Sequence, residues 1–307
     1  MSYSTIHPKW DLAPSHILDG YSLEMTARDR EALAEAAPLI RPGTSIAVAF
    51  LPTESMDERI STATHVRALG FEPMPHLSAR RIRSSDELST MVRRLGDAEV
   101  KRVLLVAGDP PVPEGPFSDV LTMIRTGVFE KNGVSVISIA GHPDGHPVMD
   151  ERARWSALAA KISEITARGM TPLIVTQFSF DQENALTWLE DLRERGIDAP
   201  VRIGIPGPAG IKRLLRFAAV CGVGASASVL KKYGISLTKL AGTAGPEKSV
   251  HLLQDRLGPE HGRVRLHFYP FGGLKPTAEW INDYERRNGR ALSKFEAAGS
   301  DPYQQRA

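Results

Sequence analysis

Leu173-Ile-Val-Thr-Gln177-Phe-Ser-Phe-Asp181 is an apolar run that breaks into polar groups just before a helical pattern begins at Asp181. A β-strand buried on both faces reads this way, and the polar residues at its carboxyl end face a site. Gln177 is the residue to explain. Its uncharged amide donates and accepts at once, which suits a flat heterocycle carrying N–H next to C=O. The plainer alternative is that Gln177 ends the strand and bonds nearby backbone.

On both sides of this stretch the same alternation recurs. Strands are expected at 21–25, 45–50, 71–77, 102–107, 134–140, 173–177, 201–206 and 264–269, each followed by helical periodicity. The helices are expected at 29–40, 56–69, from 84, 117–130, 150–168, 181–195, within 210–257 with breaks at Gly222, Gly234 and Gly245, and at 277–287. Eight strands alternating with eight helical regions imply parallel pairing, and eight such units close most economically into a single (β/α)8 TIM-type barrel. A doubly wound open sheet is the rival. Its phosphate-binding turn belongs between an early strand and a helix, whereas the nearest match, Gly222-Val-Gly224-Ala-Ser-Ala227, follows a helix late in the chain.

The chain has 307 residues, 42% hydrophobic and 24% charged, enough for one large α/β domain without long disordered segments. We expect an arm at 1–20, the barrel at 21–290 and a tail at 291–307. We expect no appended regulatory domain. A net charge of +2 without basic blocks argues against a nucleic-acid groove or an acidic membrane surface. The densest basic spot, Ala79-Arg-Arg-Ile-Arg83, reads as a solvated loop. Cys221 is the single cysteine, which excludes an intrachain disulfide, and with no export signal or membrane span visible we expect a cytoplasmic protein.

On a barrel, reacting groups lie where the strands end at the carboxyl face. Those ends collect Glu24, Thr53, His76, Asp109, His142 with His146, Gln177, the Pro206-Gly207 turn and Tyr269. Glu24 and Asp109 form a carboxylate pair that can divide the work of proton donor and cation stabiliser, although either can instead cap a helix or pair with an arginine. His142 and His146 are four apart, but Pro143 and Gly145 bar a regular helix, so the spacing defines no metal pair. Cys221, beside Ala218, Ala219 and Val220, reads as core packing.

These residues carry a resemblance. Glu24 after the first strand, Pro75-His76-Leu77, Gly108-Asp109-Pro110-Pro111, His142-Pro-Asp-Gly-His146-Pro147, Thr176-Gln-Phe-Ser-Phe-Asp181 and His267-Phe-Tyr269 occur in the order seen in methylenetetrahydrofolate reductases. The resemblance spans residues 20–285. It implies a barrel that reduces 5,10-methylenetetrahydrofolate to 5-methyltetrahydrofolate with NADH or NADPH. It implies that Glu24 is the general acid of ring opening, that Asp109 stabilises the iminium and binds the pterin, and that Gln177, Phe178, His76 and Tyr269 contact folate. Thr53, His76, His142, His146, Lys161 and Gln177 fall on cofactor-binding positions.

Departures from the family pattern concern the flavin. Family members usually carry FAD, yet Ala107 stands where an arginine commonly helps bind it, Trp155 aligns with an aspartate, and His142 aligns with a tyrosine. Losing charge-assisted hydrogen bonds worth roughly 1.5–3 kcal/mol each weakens a cofactor steeply. We therefore expect weak or absent FAD and direct hydride transfer from the nicotinamide. Two other readings stay open: a folate-dependent methyltransferase barrel, and a folate-binding barrel without catalysis. The choice between NADH and NADPH and the oligomeric state are not legible.

Overall fold

Eight parallel strands close on themselves in chain order: β1 (Ser22–Met25), β2 (Ser45–Val48), β3 (Glu72–Ser78), β4 (Arg102–Val106), β5 (Val136–Gly141), β6 (Thr171–Phe178), β7 (Val201–Pro206) and β8 (Val264–Tyr269). The closing pair sets Ser22 opposite His267 and Leu23 opposite Phe268. The computed structural model describes residues 16–288 except 147, 222, 224–229, 231–232 and 234–241. Most of the expected arm, the tail, the breaks at Gly222 and Gly234, and the glycine match at 222–227 therefore lie outside the described residues. The (β/α)8 barrel is the expected fold class.

The helices are α1 (Arg30–Ala36), α2 (Met56–Ala68), α3 (Ser85–Asp97), α4 (Val120–Ile124), α5 (Val128–Lys131), α6 (Glu151–Ala167), α7 (Gln182–Glu194), α8 (Ile211–Val220), α9 (Glu247–Arg256) and α10 (Leu274–Arg287). Ser55, Ser84, Asp119, Asp150 and Asp181 each accept a first-turn N–H, so α2, α3, α4, α6 and α7 start at side-chain caps soon after the strands end. On α3, Leu88, Met91, Val92 and Leu95 form the i, i+3, i+4, i+7 stripe buried against the sheet. Burying each such side chain contributes roughly 1.5–3 kcal/mol. Inside the barrel a smaller cluster, Ala47, Met74, Leu104, Leu173 and Val175, fills the middle.

That apolar plug leaves polar side chains for the two barrel ends. At the amino-terminal end the buried Arg202 donates through Nη1 to the Gly20 carbonyl at 2.9 Å. Burial, then repulsion from Arg102 and Arg265, pushes its pKa down to about 9. At the carboxyl end β6 shifts register against β7 between Val175 and Phe178. The Gly204 N–H bonds the Thr176 hydroxyl at 2.8 Å, and a Cβ on Gly204 would fall 2.7 Å from the Thr176 carbonyl oxygen. Such a bulge re-aims the residue after it, here Gln177.

Several expectations are corrected. The helix read over 117–130 is two short helices parted by Gly127, whose φ of 73° no β-branched residue adopts without strain. The last helix starts at Leu274, ahead of the expected 277, with Pro276 in its first turn where a missing N–H goes unnoticed. Ala79–Arg81 is a 3-10 turn rather than a solvated loop, because Arg80 binds the neighbouring loop at both ends. Cys221 is exposed at the end of α8, not packed in the core. Among the described residues no helix is long and apolar enough to cross a membrane.

Candidate active site

Strand alternation turns Glu24, His76 and His267 into the barrel mouth above the apolar plug. The Glu24 Oε2 atom lies 3.7 Å from His76 Nε2 and 3.6 Å from His267 Nε2. These separations exceed a hydrogen bond, and neither buried Nε2 has a closer partner among the described residues. Burial lowers the pKa of both histidines; Glu24 opposes the shift without reversing it. Both rings are therefore neutral near neutral pH.

The far nitrogen of His267 is held by the sheet. His267 Nδ1 and the Ser22 hydroxyl are 2.8 Å apart, while the hydroxyl's other acceptor, the Leu266 carbonyl, is at 3.5 Å. With the hydroxyl donating to Nδ1, the ring proton sits on Nε2 and faces Glu24. Ser22, His267 and Glu24 thus form a chain from the buried sheet to a carboxyl group that is 21% exposed and can reach a ligand.

Around this centre stand Tyr269 and Gln177. The Tyr269 hydroxyl donates to the Thr176 carbonyl at 3.0 Å, and its ring meets His267 edge to face at 4.8 Å between centroids. Burial, then the negative potential of Glu24, raises the phenol pKa well above its usual value, so it stays a neutral donor. The Gln177 Oε1 atom accepts the Phe178 N–H at 3.1 Å, as the plainer alternative foresaw. Its amide NH2 keeps no protein partner among the described residues, which leaves two donors for a ligand.

Asp109 lies exposed on the loop after β4 and makes no hydrogen bond or ion pair among the described residues. The loop is nonetheless held. Arg80 donates through Nε to the Ser118 carbonyl at 2.9 Å and through Nη1 to the Pro110 carbonyl at 3.3 Å, and its backbone N–H bonds the Ala107 carbonyl at 2.9 Å. Gly108 has φ 93°, and a Cβ there would sit 2.0 Å from the Ser78 hydroxyl. Cys221 closes the picture: burial first, then the charges of Glu24 and Asp109, raise its thiol pKa, which places the end of α8 near both carboxylates.

Other expected site residues lie apart from this centre. Thr53 is exposed on the rim, where Arg28 Nη2 donates to its hydroxyl at 3.4 Å. Phe178 is only 1% exposed and packs against Tyr269 and Phe271, so it backs the mouth instead of lining it. His142 and His146 meet edge to face at 4.9 Å in the loop after β5, whose His142 carbonyl accepts from Arg154 Nη1 at 3.0 Å. Burial, then His146, Lys161 and Arg154, bring the His142 pKa down to about 4. Burial also lowers the Lys161 pKa against the pull of Asp119. Trp155 turns toward α7, stacking on Trp188 at 5.8 Å beneath the Arg195 guanidinium. Among the described residues no group of three His, Cys, Asp or Glu could hold a metal ion.

Sequence reasoning missed His267 and Ser22 as parts of the site. The signal was present in β8, where Val264, Leu266 and Phe268 alternate with Arg265, His267 and Tyr269, so His267 must share the face of Tyr269.

A family model described as methylenetetrahydrofolate reductase matches residues 45–273. The chain is similar to methylenetetrahydrofolate reductase (NADH) 1 of Arabidopsis thaliana, with 29% identity over 166 residues, 49% of this chain and 27% of that protein. It is similar to methylenetetrahydrofolate reductase 2 of Saccharomyces cerevisiae, with 27% identity over 150 residues, 47% of this chain and 24% of that protein. The chain thus spans about a quarter of the length of these relatives. Among solved structures, a Clostridium thermocellum protein described as binding two copies of 5-methyl-5,6,7,8-tetrahydrofolic acid shares the fold, with a TM-score of 0.62, 13% identity, and coverage of 87% of this chain and 95% of that one. With the family match running from β2 to the loop after β8, on a barrel that gathers Glu24, Gln177 and Tyr269 at its mouth, the chain belongs to the methylenetetrahydrofolate reductase family.

Proposed function

We propose that this barrel reduces 5,10-methylenetetrahydrofolate to 5-methyltetrahydrofolate, taking hydride from NADH or NADPH. The observation that carries the reading is the Glu24 carboxyl group set between two neutral imidazoles, with His267 oriented by Ser22. The substrate's five-membered ring is a cyclic aminal. Glu24 gives a proton to N10 as the bond from N10 to the methylene carbon breaks, and the electron pair of that bond goes to N10. The N5 lone pair forms the N5-methylene iminium. Hydride from the nicotinamide then reduces the methylene carbon to the methyl group, and one proton plus one hydride balance the reaction.

Each neighbour has a task in this scheme. Asp109, exposed and without a protein partner among the described residues, stabilises the iminium charge. The Gln177 NH2 group supplies donors to the pterin edge, and the Tyr269 hydroxyl, whose proton goes to the Thr176 carbonyl, offers a lone pair as an acceptor. The neutral His76 and His267 leave the Glu24 proton without a competing permanent cation, and the carboxyl group, 21% exposed, can be reloaded from solvent.

The residues at flavin-binding positions do not suit tightly held FAD. Ala107 offers no cation, Trp155 is stacked against Trp188, and the neutral His142 leaves Lys161, itself desolvated, as the remaining cationic group at these positions. We therefore assign hydride donation directly to the nicotinamide. The test is anaerobic turnover of the purified protein with methylenetetrahydrofolate and NADH or NADPH, with and without added FAD. Oxidation of the nicotinamide without flavin supports the proposal. Turnover only with FAD overturns the direct transfer, and methyl transfer to an acceptor without nicotinamide favours a methyltransferase. Folate binding with no turnover of either kind leaves a binding protein.

A further inference from the structure

We infer that a cavity between the first turns of α7 and α9 binds a free α-amino acid with an apolar side chain. The cavity measures about 260 Å³ and is lined by residues 180–183 at the entry to α7 and by Lys248, Ser249 and Leu252 of α9. None of these residues belongs to the mouth, so the inference is independent of the folate reading. Its volume is below the roughly 300–1,000 Å³ of sites for drug-sized ligands, which calls for a small occupant. Two side chains in its wall are buried yet unsatisfied. Gln182 is 2% exposed, and its Nε2 donates to the Ser179 carbonyl at 2.8 Å. That bond sets the orientation of the amide and leaves Oε1 with no partner among the described residues. Ser249 is 4% exposed, and its hydroxyl makes no hydrogen bond among them either. Buried polar atoms are rarely left unmade, so such atoms in a cavity wall mark where the polar groups of a ligand go.

The two sides of the cavity offer opposite chemistry. On α9, Pro246 supplies no side-chain cap, so the first-turn N–H groups stay available to an anion. Lys248 in that turn is exposed and makes no ion pair among the described residues, while the Glu247 carboxyl group is engaged by the Trp280 Nε1 donor. On α7 the groups are acceptors: Gln182 Oε1 and the carboxyl group of Glu183, which pairs with Arg256 at 3.6 Å. The Asp181 carboxyl group caps the Glu183 N–H at 3.3 Å. An α-amino acid has the same polarity. Its carboxylate goes to Lys248, Ser249 and the start of α9, its ammonium group to Gln182 Oε1, and its side chain to Phe180 and Leu252. A phosphate offers mainly acceptors, so it would leave Gln182 Oε1 unmet and face the Glu183 carboxyl group.

The experiment titrates the whole chain calorimetrically with L-leucine, beside leucinamide, which lacks the carboxylate, and N-acetyl-leucine, which lacks the ammonium group. The same titrations are made on Lys248→Gln and Ser249→Ala, whose unfolding midpoints without ligand are expected at the native value. Saturable binding of leucine is the expected result, with each analogue at least about tenfold weaker and each variant weaker by about threefold to tenfold. No binding of leucine at millimolar concentration overturns the inference. Binding that either analogue reproduces also overturns it, because the site would then read one charge alone. Leucine binding that survives both substitutions places the ligand elsewhere and overturns it as well. The analogues decide the matter on the native protein even if a variant fails to fold.

Discussion

Replacing Glu24 by Gln keeps the shape of the side chain and removes its ability to donate a proton as a carboxylic acid. In the structure that group is 21% exposed, and its neighbours across 3.6 and 3.7 Å are two histidines held neutral by burial. No permanent cation loses a partner, so the substitution should leave folding intact, with a change in stability below about 1 kcal/mol. Turnover is different. A positioned general acid contributes about 10²–10⁴-fold, equivalent to roughly 3–5 kcal/mol of barrier. The expected outcome is a fall in kcat of that size with folate affinity held within a few-fold, measured by nicotinamide oxidation and by equilibrium binding of 5-methyltetrahydrofolate. A kcat within about threefold of native would remove Glu24 from the mechanism. A collapse of folate affinity with kcat preserved would make it a binding residue.

Ser22→Ala removes the 2.8 Å partner of a buried imidazole nitrogen, so it should destabilise the fold by about 1–3 kcal/mol in denaturant titration and lower kcat through the loosened His267. Gly108→Ala forces a side chain into φ 93° and against the Ser78 hydroxyl; we expect roughly 1–3 kcal/mol of strain and weaker folate binding as the Asp109 loop shifts, visible in thermal unfolding and ligand titration. His142 has a folded pKa of about 4 against an ordinary 6.5, so the unfolded chain takes up its proton first as pH falls. Its contribution is complete above pH 6.5 and is lost between there and about 4, by at most about 3 kcal/mol. The lowered pKa values of His76 and His267 act with the same sign. In denaturant midpoints across that window, His142→Gln should flatten the slope, and an unchanged slope would contradict the assignment.

The barrel was legible because its strands are buried on both faces and its helices announce themselves by caps and apolar stripes, signals that are local in sequence. Gln177, Asp109 and Glu24 were legible for the same reason: each stands where a strand breaks into polar residues. What the sequence hid depends on direction and distance. Phe178 follows Gln177 at a bulge and turns into the aromatic cluster behind the mouth, while Thr53 sits on the rim and points outward. His267 lies two residues before a strand end, so a search confined to strand ends passed over it although alternation puts it beside Tyr269. Cys221 looked like core because its preceding residues are small and apolar, yet it stands at the end of α8 with its thiol exposed.

The most direct test of direct hydride transfer is isotopic. Nicotinamide carrying deuterium at C4 is turned over anaerobically with methylenetetrahydrofolate in ordinary water, using protein freed of flavin, and the product methyl group is analysed by mass spectrometry. The mechanism proposed above predicts one deuterium in the methyl group, transferred from one face of the nicotinamide and undiluted by solvent. Product without deuterium, or product formed only when FAD is supplied, would contradict it.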